Sequence, residues 1–187
     1  MKFIVKYLFF SAIIFTLAFS QPLKGQTAAD KINISITKGT VTVNGTKFSS
    51  PDKFFMGTVE TLLGKPDRIK DGFNRLHTYD KLGLVFFENT TTHTVNEVQV
   101  FITLDNTLEY CPKIPFRGLF KIEKIAVNSG TKLDVVNKKL KKYKFEKSLL
   151  GDNSYRGEYK SIYAFIRFKN GDVGADKVSF GIKEPKK

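Results

Sequence analysis

The chain has 187 residues, of which 31 are Lys or Arg and 18 are Asp or Glu, so its formal net charge is +13. A single Cys cannot form an intramolecular disulfide, which excludes the small disulfide-stabilised class and leaves an apolar core as the source of stability. The charge favours anionic partners, and nucleic acid would be the first candidate in the cytoplasm. The export signal described next argues against nucleic acid, so we predict no such partner.

The start of the chain predicts a cleaved signal peptide over residues 1–20. A short lysine-containing start precedes a charge-free apolar run at 7–19, and Ala18 and Ser20 occupy the small-residue positions before a cleavage site. The run is shorter than the roughly 20 residues that a membrane-spanning helix needs. A retained N-terminal anchor, or a cut near Gly25, is the alternative. We expect a periplasmic or secreted mature chain without a transmembrane segment.

The first predicted unit covers residues 31–103 and follows a flexible lead-in at 21–30. Alternating apolar residues predict strands within 32–43. Asn44-Gly45 is a two-residue hairpin signal, because both residues tolerate a positive φ. Further strands are predicted at 73–79, 82–88 and 95–102.

A short helix is predicted in the segment GTVETLLGKPDR, residues 57–68. Thr58 is the expected N-cap, because its side chain can accept a backbone N–H of the first turn. Gly64 is expected to take the left-handed conformation after the last turn, and Pro66 cannot continue the helix. These structural residues predict a helix that stops abruptly and returns the chain to a strand.

A proline-containing connector at 104–119 separates the first unit from a second one at 120–183. The second unit is expected to begin with a strand at 120–127, followed by a helix at 131–142. Thr131 is its predicted N-cap, with Asp134 in the place that Glu holds in a capping box. Further strands are predicted at 142–150, 154–159, 161–168 and 176–182, a Gly-Asp turn at 171–172, and a disordered tail at 184–187.

These elements predict an α+β fold of two similar units, each a short helix packed on an antiparallel β-meander. One helix can cover only one apolar face of a small sheet, so we expect the opposite face to remain free for contact. The order and the period of about 70 residues suggest an internal duplication. A single irregular α+β domain with a similar number of elements is the alternative.

The run TVETLLGKPDR, followed by strands, resembles a helix–Gly-x-Pro–strand segment of small exported bacterial proteins. These are the BamE/SmpA outer-membrane-assembly lipoproteins and the beta-lactamase-inhibitor-protein family, which contains tandem helix-plus-sheet repeats. The resemblance covers residues 58–102. It implies an exposed concave sheet that binds a protein partner. The chain lacks the lipid-accepting Cys of the BamE type, so the resemblance does not extend to a lipid-anchored role.

Residues that carry chemistry are sparse. His77 and His93 have no second ligand at metal-binding spacing, so we predict no metal and no cofactor. Cys111 is expected to be free and partly buried, with an intermolecular disulfide as the alternative. Residues 50–53 match the Ser-x-x-Lys motif of penicillin-recognising enzymes, but the companion motifs are missing, which favours a polar turn. We therefore expect a protein that is not an enzyme.

Two groups of residues are candidates for binding. A lysine-rich segment at 132–147 contains seven lysines against two carboxylates; it is either an anionic-surface site or the solvated side of a helix. Aromatic residues of two predicted strands are either an exposed binding surface or part of the core. The candidates are Lys138, Lys139, Lys141, Lys142, Tyr155, Tyr159, Tyr163 and Phe165, with the four aromatic residues expected on the face opposite Ile162 and Ile166.

The leading functional hypothesis is a non-catalytic binding or inhibitory module whose open sheet face engages another protein. The first alternative is an envelope-associated protein held at an anionic surface by the lysine-rich helix. The second is a small hydrolase whose site carries no recognisable motif.

Overall fold

A computed structural model describes residues 31–105, 107–149, 151, 153–169 and 174–183. The predicted signal peptide, the lead-in, the Gly-Asp turn and the tail lie outside the described residues. The described residues form two α-helices and two mostly antiparallel sheets, which confirms an α+β fold. None of these helices has the length and apolar content needed to cross a membrane.

The elements follow one another as a series of short strands interrupted by two helices. The helices are α1 (Met56–Leu63) and α2 (Leu133–Lys139). The strands are β1 (Asn33–Thr37), β2 (Thr40–Val43), β3 (Thr46–Phe48), β4 (Arg68–Lys70), β5 (Asn74–Tyr79), β6 (Leu84–Asn89), β7 (Val95–Phe101), β8 (Leu119–Ile122), β9 (Ile125–Ala126), β10 (Glu146–Lys147), β11 (Ser154–Tyr159), β12 (Ile162–Phe168) and β13 (Ala175–Ile182).

The large sheet has eight antiparallel strands in the order β10-β11-β12-β13-β7-β6-β5-β4. It contains both predicted meanders, β4–β7 and β10–β13. Their last strands pair with each other, with Val178 opposite Val100. The two segments predicted as separate units therefore share one continuous sheet.

The small sheet has five strands in the order β3-β2-β1-β8-β9. Strand β1 lies at its centre, antiparallel to β2 and parallel to β8. The predicted Asn-Gly hairpin is confirmed between β2 and β3, where Asn44 and Gly45 have φ values of 46° and 88°. Positive φ at both positions gives the backbone twist that a two-residue hairpin requires.

One apolar core lies between the sheets. The ring of Phe120 on β8 stacks on that of Phe180 on β13, with ring centroids 5.6 Å apart. Helices α1 and α2 contribute Val59 and Val136, both fully buried, to the same cluster. The inner face of the large sheet is therefore covered by the small sheet as well as by the helices. The sequence-based prediction had placed only helices there.

Helix α1 begins two residues before the predicted N-cap, and this prediction was wrong. Phe55 is the N-cap residue, and Thr58 lies within the first turn. Tertiary packing sets the start, because the buried ring of Phe54 stacks on Phe48 and the N–H of Met56 donates to the carbonyl of His93. A side-chain cap is a weaker constraint than these contacts.

The end of α1 is close to the prediction. The N–H of Gly64 donates to the Glu60 carbonyl at 2.9 Å, and Gly64 has a φ of 84°. Its ψ of −176° lies outside the left-handed helical region, so the chain leaves the helix in an extended direction rather than through the expected left-handed cap. Pro66 follows, as predicted, where no helix continues.

Helix α2 is shorter than predicted and has a different cap. Lys132 is its N-cap residue, so the assignment of Thr131 was wrong. The Thr131 hydroxyl instead accepts the N–H of Asn128, and Asp134 accepts the N–H of Val135, so no capping box forms. After Leu140 the chain tightens into a 3₁₀ turn.

Replacing Gly181 with alanine is expected to destabilise the fold by about 2 kcal/mol, because overpacking displaces the neighbouring groups. A Cβ on Gly181 would lie 2.2 Å from the carbonyl oxygen of Asn96 and 2.4 Å from the hydroxyl oxygen of Tyr163. Gly57→Ala is the matched control: nothing lies within 4 Å of its Cβ position inside α1, so alanine should stabilise by up to about 1 kcal/mol. Urea unfolding measures the free energy of unfolding of both variants. Equal changes in Gly181→Ala and Gly57→Ala would contradict the close packing around Gly181.

Candidate binding surface

A row of paired residues crosses the outer face of the large sheet, the face turned away from the small sheet. Residues opposite each other in an antiparallel pair project to the same side. In sheet order, the row contains Arg156, Phe165, Ser179, Gln99, Val85, Thr78 and Arg68. Thr78, Val85, Gln99 and Ser179 are buried, whereas Phe165 is half-buried and Arg156 is exposed. The outer face is therefore covered from β5 to β13 along this row and open at β11 and β12.

The connector, residues 104–119, provides this cover. The ring of Tyr110 packs edge-on against Phe87 and Phe101 of the outer face, with centroids 5.8 and 6.4 Å away. Gly83 allows the chain to come close, because a Cβ there would lie 2.2 Å from the backbone nitrogen of Phe116. The connector thus occupies the part of the outer face formed by β4–β7, and its last residue starts β8.

Arg68 anchors the middle of the connector. Its guanidinium donates two bonds to Asp80, at 3.0 and 2.8 Å, and further bonds to the carbonyls of Glu109 and Cys111. Burial of Asp80 acts to raise its pKa, but the bonds from Arg68 and from the N–H of Lys113 outweigh burial and lower the pKa. The charged carboxylate is thereby favoured in the folded protein.

Arg167 anchors the start of the connector. Its Nε lies 2.9 and 3.1 Å from the two carboxylate oxygens of Asp176, and its Nη1 donates to Asp105 at 2.6 Å. Bonds to Asp105 from the hydroxyl of Thr107, and then from Arg167, lower the pKa of Asp105 to about 2. The connector is therefore held to the outer face by two half-buried arginines.

The uncovered part of the outer face lies on β11 and β12 and carries two of the four predicted aromatic residues. The rings of Tyr163 and Phe165 meet edge to face at 6.0 Å, and the guanidinium of Arg156 lies 5.4 Å from the Phe165 ring. Tyr163 crosses Gly181 and donates its hydroxyl to the carbonyl of Asn96 at 2.9 Å. Both rings are half-buried and held in place by these contacts.

The other two predicted aromatic residues point the opposite way, which corrects the prediction of a single aromatic face. Tyr155 pairs with Ile166, and Tyr159 with Ile162, so both tyrosines share the inner face with those isoleucines. The turn between β11 and β12 contains two residues, and Tyr159 and Ile162 on either side of it are therefore directly opposed. The prediction assumed that alternation continues unchanged through the turn, and it therefore placed Tyr155 and Tyr159 on the wrong face of the sheet.

Two depressions flank the aromatic pair. One, of about 320 Å³, is lined by Phe165 together with Gln99, Lys177 and Ser179. The other, of about 510 Å³, is lined by Tyr163 with Phe55 and other residues. In the first depression burial lowers the pKa of Lys177, whose ammonium lies 5.5 Å from the Phe101 ring. The open face therefore combines aromatic walls with polar groups.

The lysine-rich segment forms a separate exposed surface. All of its lysines are solvent-exposed: Lys132, Lys138, Lys139, Lys141, Lys142, Lys144 and Lys147. Lys142 is bound on both sides, with its ammonium 3.2 Å from the carboxylate of Glu123 and 4.4 Å from the centroid of the Tyr159 ring. Lys160, which was not among the candidates predicted from the sequence, reaches the same ring from the β11–β12 turn. No pattern in the sequence indicates that the turn with Lys142 and the turn with Lys160 lie side by side.

The two histidines meet on one buried carboxylate. The Nε2 atom of His77 lies 2.6 Å from Glu88, and the Nδ1 atom of His93 lies 2.7 Å from its other oxygen. Burial acts to raise the pKa of Glu88, but the bonds from His77 and His93 outweigh it and lower the pKa. Within the described ranges, no group of His, Cys, Asp and Glu side chains is arranged to hold a metal ion.

The remaining candidates from the sequence lie apart from this cluster. Cys111 has a free thiol, and its Sγ accepts the N–H of Asp105 at 3.3 Å within the connector. Residues 51–53 form a 3₁₀ turn in which the N–H of Lys53 donates to the carbonyl of Ser50, as the polar-turn interpretation expects.

Comparison with known proteins gives one family match. The model of a domain of unknown function, DUF7738, matches residues 33–137. No curated protein matches the chain. The family match spans β1 to β9 and α1, including the connector, and ends inside α2.

Three solved structures are similar to the chain at low sequence identity. An extracellular protein with an SCP domain from Bacillus anthracis is 12% identical, with a TM-score of 0.47 over 68% of this chain and 43% of its own. A DUF4309 family protein from Bacillus subtilis is 19% identical, with a TM-score of 0.43 over 70% of this chain and 80% of its own. A cysteine-rich secretory protein from Staphylococcus aureus is 11% identical, with a TM-score of 0.35 over 72% of this chain and 46% of its own. The chain thus spans less than half of the first of these.

Proposed function

The chain belongs to the DUF7738 family of domains of unknown function, and on this premise we propose that it is an exported, non-catalytic binding or inhibitory module. It engages a protein partner through the uncovered part of its large sheet. The observation that carries the proposal is the division of the outer face: the connector covers the side of β4–β7, while Tyr163 and Phe165 on β12 are only partly buried. Export rests on the predicted signal peptide.

The open part has the composition of a protein interface. Aromatic residues and arginine are the side chains that most often dominate binding energy, and they do so where their conformation is fixed in advance. Phe165 is fixed between Tyr163 and Arg156, and Tyr163 is fixed by its bond to the carbonyl of Asn96. The partly buried Lys177 lines the depression beside Phe165 and supplies a polar group at the rim.

The proposal includes a duplicated architecture. A hairpin, a helix and a four-stranded meander occur in that order as β2–β3, α1, β4–β7 and again as β8–β9, α2, β10–β13. The two hairpins flank β1, and the last strands of the meanders pair antiparallel. An approximate two-fold axis through β1 would relate the copies. Joining two small sheets in this way gives a wider binding face than one unit offers.

Affinity capture from envelope extracts of the native host tests the proposed face. The immobilised chain is expected to retain a protein at about 1 M salt, where screening has removed purely electrostatic partners. Phe165→Ala should weaken that retention about 30-fold, the effect of losing a binding hot spot. Phe73→Ala is the matched control, because Phe73 is 98% exposed but lies in the β4–β5 turn. Retention that is equal for both variants would place the partner elsewhere.

A further inference from the structure

We propose that the lysine-rich segment docks on an anionic lipid bilayer and that Leu149 inserts into it. The docking surface, here called the basic edge, consists of the exposed lysines of residues 132–147 together with Leu149. It adjoins the open sheet face, because Leu149 and Arg156 line one depression, and it adds a second interaction to the proposed function.

The basic edge carries a large excess of uncompensated positive charge. Its seven lysines share the segment with two carboxylates, Asp134 and Glu146. In the part of the chain that the structure describes, Lys142 is the one lysine of the seven within ion-pair distance of a carboxylate. Clusters of four to eight basic residues bind anionic lipid head groups, and each lysine near the surface strengthens binding about fivefold.

Other lysines extend this charge across neighbouring turns. Lys160 lies in the β11–β12 turn beside Tyr159, and Lys38 lies in the β1–β2 turn. The two turns touch, because the Ser161 hydroxyl donates to the carbonyl of Gly39 at 2.9 Å. The positive surface is therefore built from segments far apart in the sequence, as a broad planar partner requires.

Leu149 identifies the partner as a bilayer rather than a soluble polyanion. It is fully exposed (103% of the reference area), and it lines one depression with three basic residues, Lys144, Lys147 and Arg156, and two carboxylates, Glu146 and Glu158. The chain just before it is held, because the N–H of Ser148 donates to the carbonyl of Ser154 at 2.7 Å. A nucleic acid or an acidic polysaccharide would neutralise the lysines and leave the leucine in water. An anionic bilayer would neutralise the lysines and also bury the leucine side chain.

The aromatic residues of the segment support the basic edge from below. The rings of Tyr143 and Phe145 stack on each other at 5.8 Å, and Tyr143 is fully buried against Tyr159, whereas Phe145 is partly buried. The exposed groups of the edge are therefore ammonium groups and the side chain of Leu149. Peripheral membrane binding needs such a combination of charge and an inserted apolar group.

A single introduced tryptophan tests the insertion. The chain contains no Trp, so Leu149→Trp provides a unique probe in the chain from Gln21 onward, which lacks the apolar run of the signal peptide. With vesicles of phosphatidylcholine and phosphatidylglycerol, the emission of this probe should shift to the blue and be quenched by brominated acyl chains. Phe73→Trp, an equally exposed position outside the basic edge, should show neither effect. An unshifted probe at position 149 would overturn the proposal.

Vesicle sedimentation separates the contribution of Leu149 to binding from that of the lysines. Leu149→Ser should weaken binding about tenfold, from the loss of a buried leucine side chain. Lys138→Glu combined with Lys139→Glu should weaken it more than 100-fold. Pure phosphatidylcholine vesicles should bind none of the variants. Binding to heparin as tight as to the vesicles, with no effect of Leu149→Ser on either, would show a polyanion site and overturn the proposal without affecting the sheet-face function.

Discussion

Replacing Glu88 with alanine is expected to lower the free energy of unfolding by about 3 kcal/mol, the upper end of the cost of leaving a buried hydrogen-bonding partner unsatisfied. Glu88 is 4% exposed and binds both His77 and His93. The Nδ1 atom of His77 has no hydrogen-bond partner among the described residues. Without Glu88, the Nε2 atom of this buried histidine would lack a partner as well, at an added cost of about 1–3 kcal/mol.

Urea unfolding measures the effect, and Glu109→Ala is the matched control. Glu109 pairs with Lys70 on the surface, where both side chains are well exposed, so its loss should change the free energy of unfolding by less than about 1 kcal/mol. Equal effects of the two substitutions would show that the buried cluster contributes nothing to stability.

The free energy of unfolding is expected to fall as the pH drops from about 4 towards 2. The pKa of Asp105 is lowered to about 2 in the folded protein from an ordinary value of 3.8. The pKa values of Asp80 and Glu88 are lowered as well. A carboxylate whose folded pKa is depressed stabilises the fold fully above its unfolded pKa, and this contribution is lost as the pH falls through the folded pKa.

For Asp105 this contribution is about 2 kcal/mol, from the conversion of a pKa difference into free energy. Asp105→Asn removes the titrating group beside Arg167. The free energy of unfolding of this variant should therefore fall by about 2 kcal/mol less between about pH 4 and pH 2. Asp71→Asn is the control, because Asp71 forms only an exposed pair with Arg75. An unchanged slope in Asp105→Asn would contradict the role of this carboxylate in holding the connector.

Local patterns predict the parts of the fold that depend on a few consecutive residues. The strand at 95–101 follows from alternating apolar side chains, and the hairpin follows from Asn44 and Gly45. The helix starts did not follow, because contacts with distant residues such as His93 set them rather than the nearest threonine. Caps predict a boundary well only when packing leaves the boundary free.

Features that join distant segments could not be predicted. The pairing of β7 with β13, the cover that Tyr110 provides and the meeting of two histidines on Glu88 each connect residues without a local signal. The side on which Tyr155 and Tyr159 lie depended on the length of one turn. The lysine-rich segment could be recognised from the sequence, whereas the position of Lys160 beside it could not.

Photo-crosslinking in the native host tests the proposed binding face most directly. With a benzophenone side chain at Phe165, illumination should join the chain to one partner protein, and the same should hold at Tyr163, its neighbour on β12. The same group at Phe73, on the far edge of the sheet, should give no such product. Crosslinks that form equally at Phe73, or at none of the three positions, would contradict recognition through the uncovered half of the sheet.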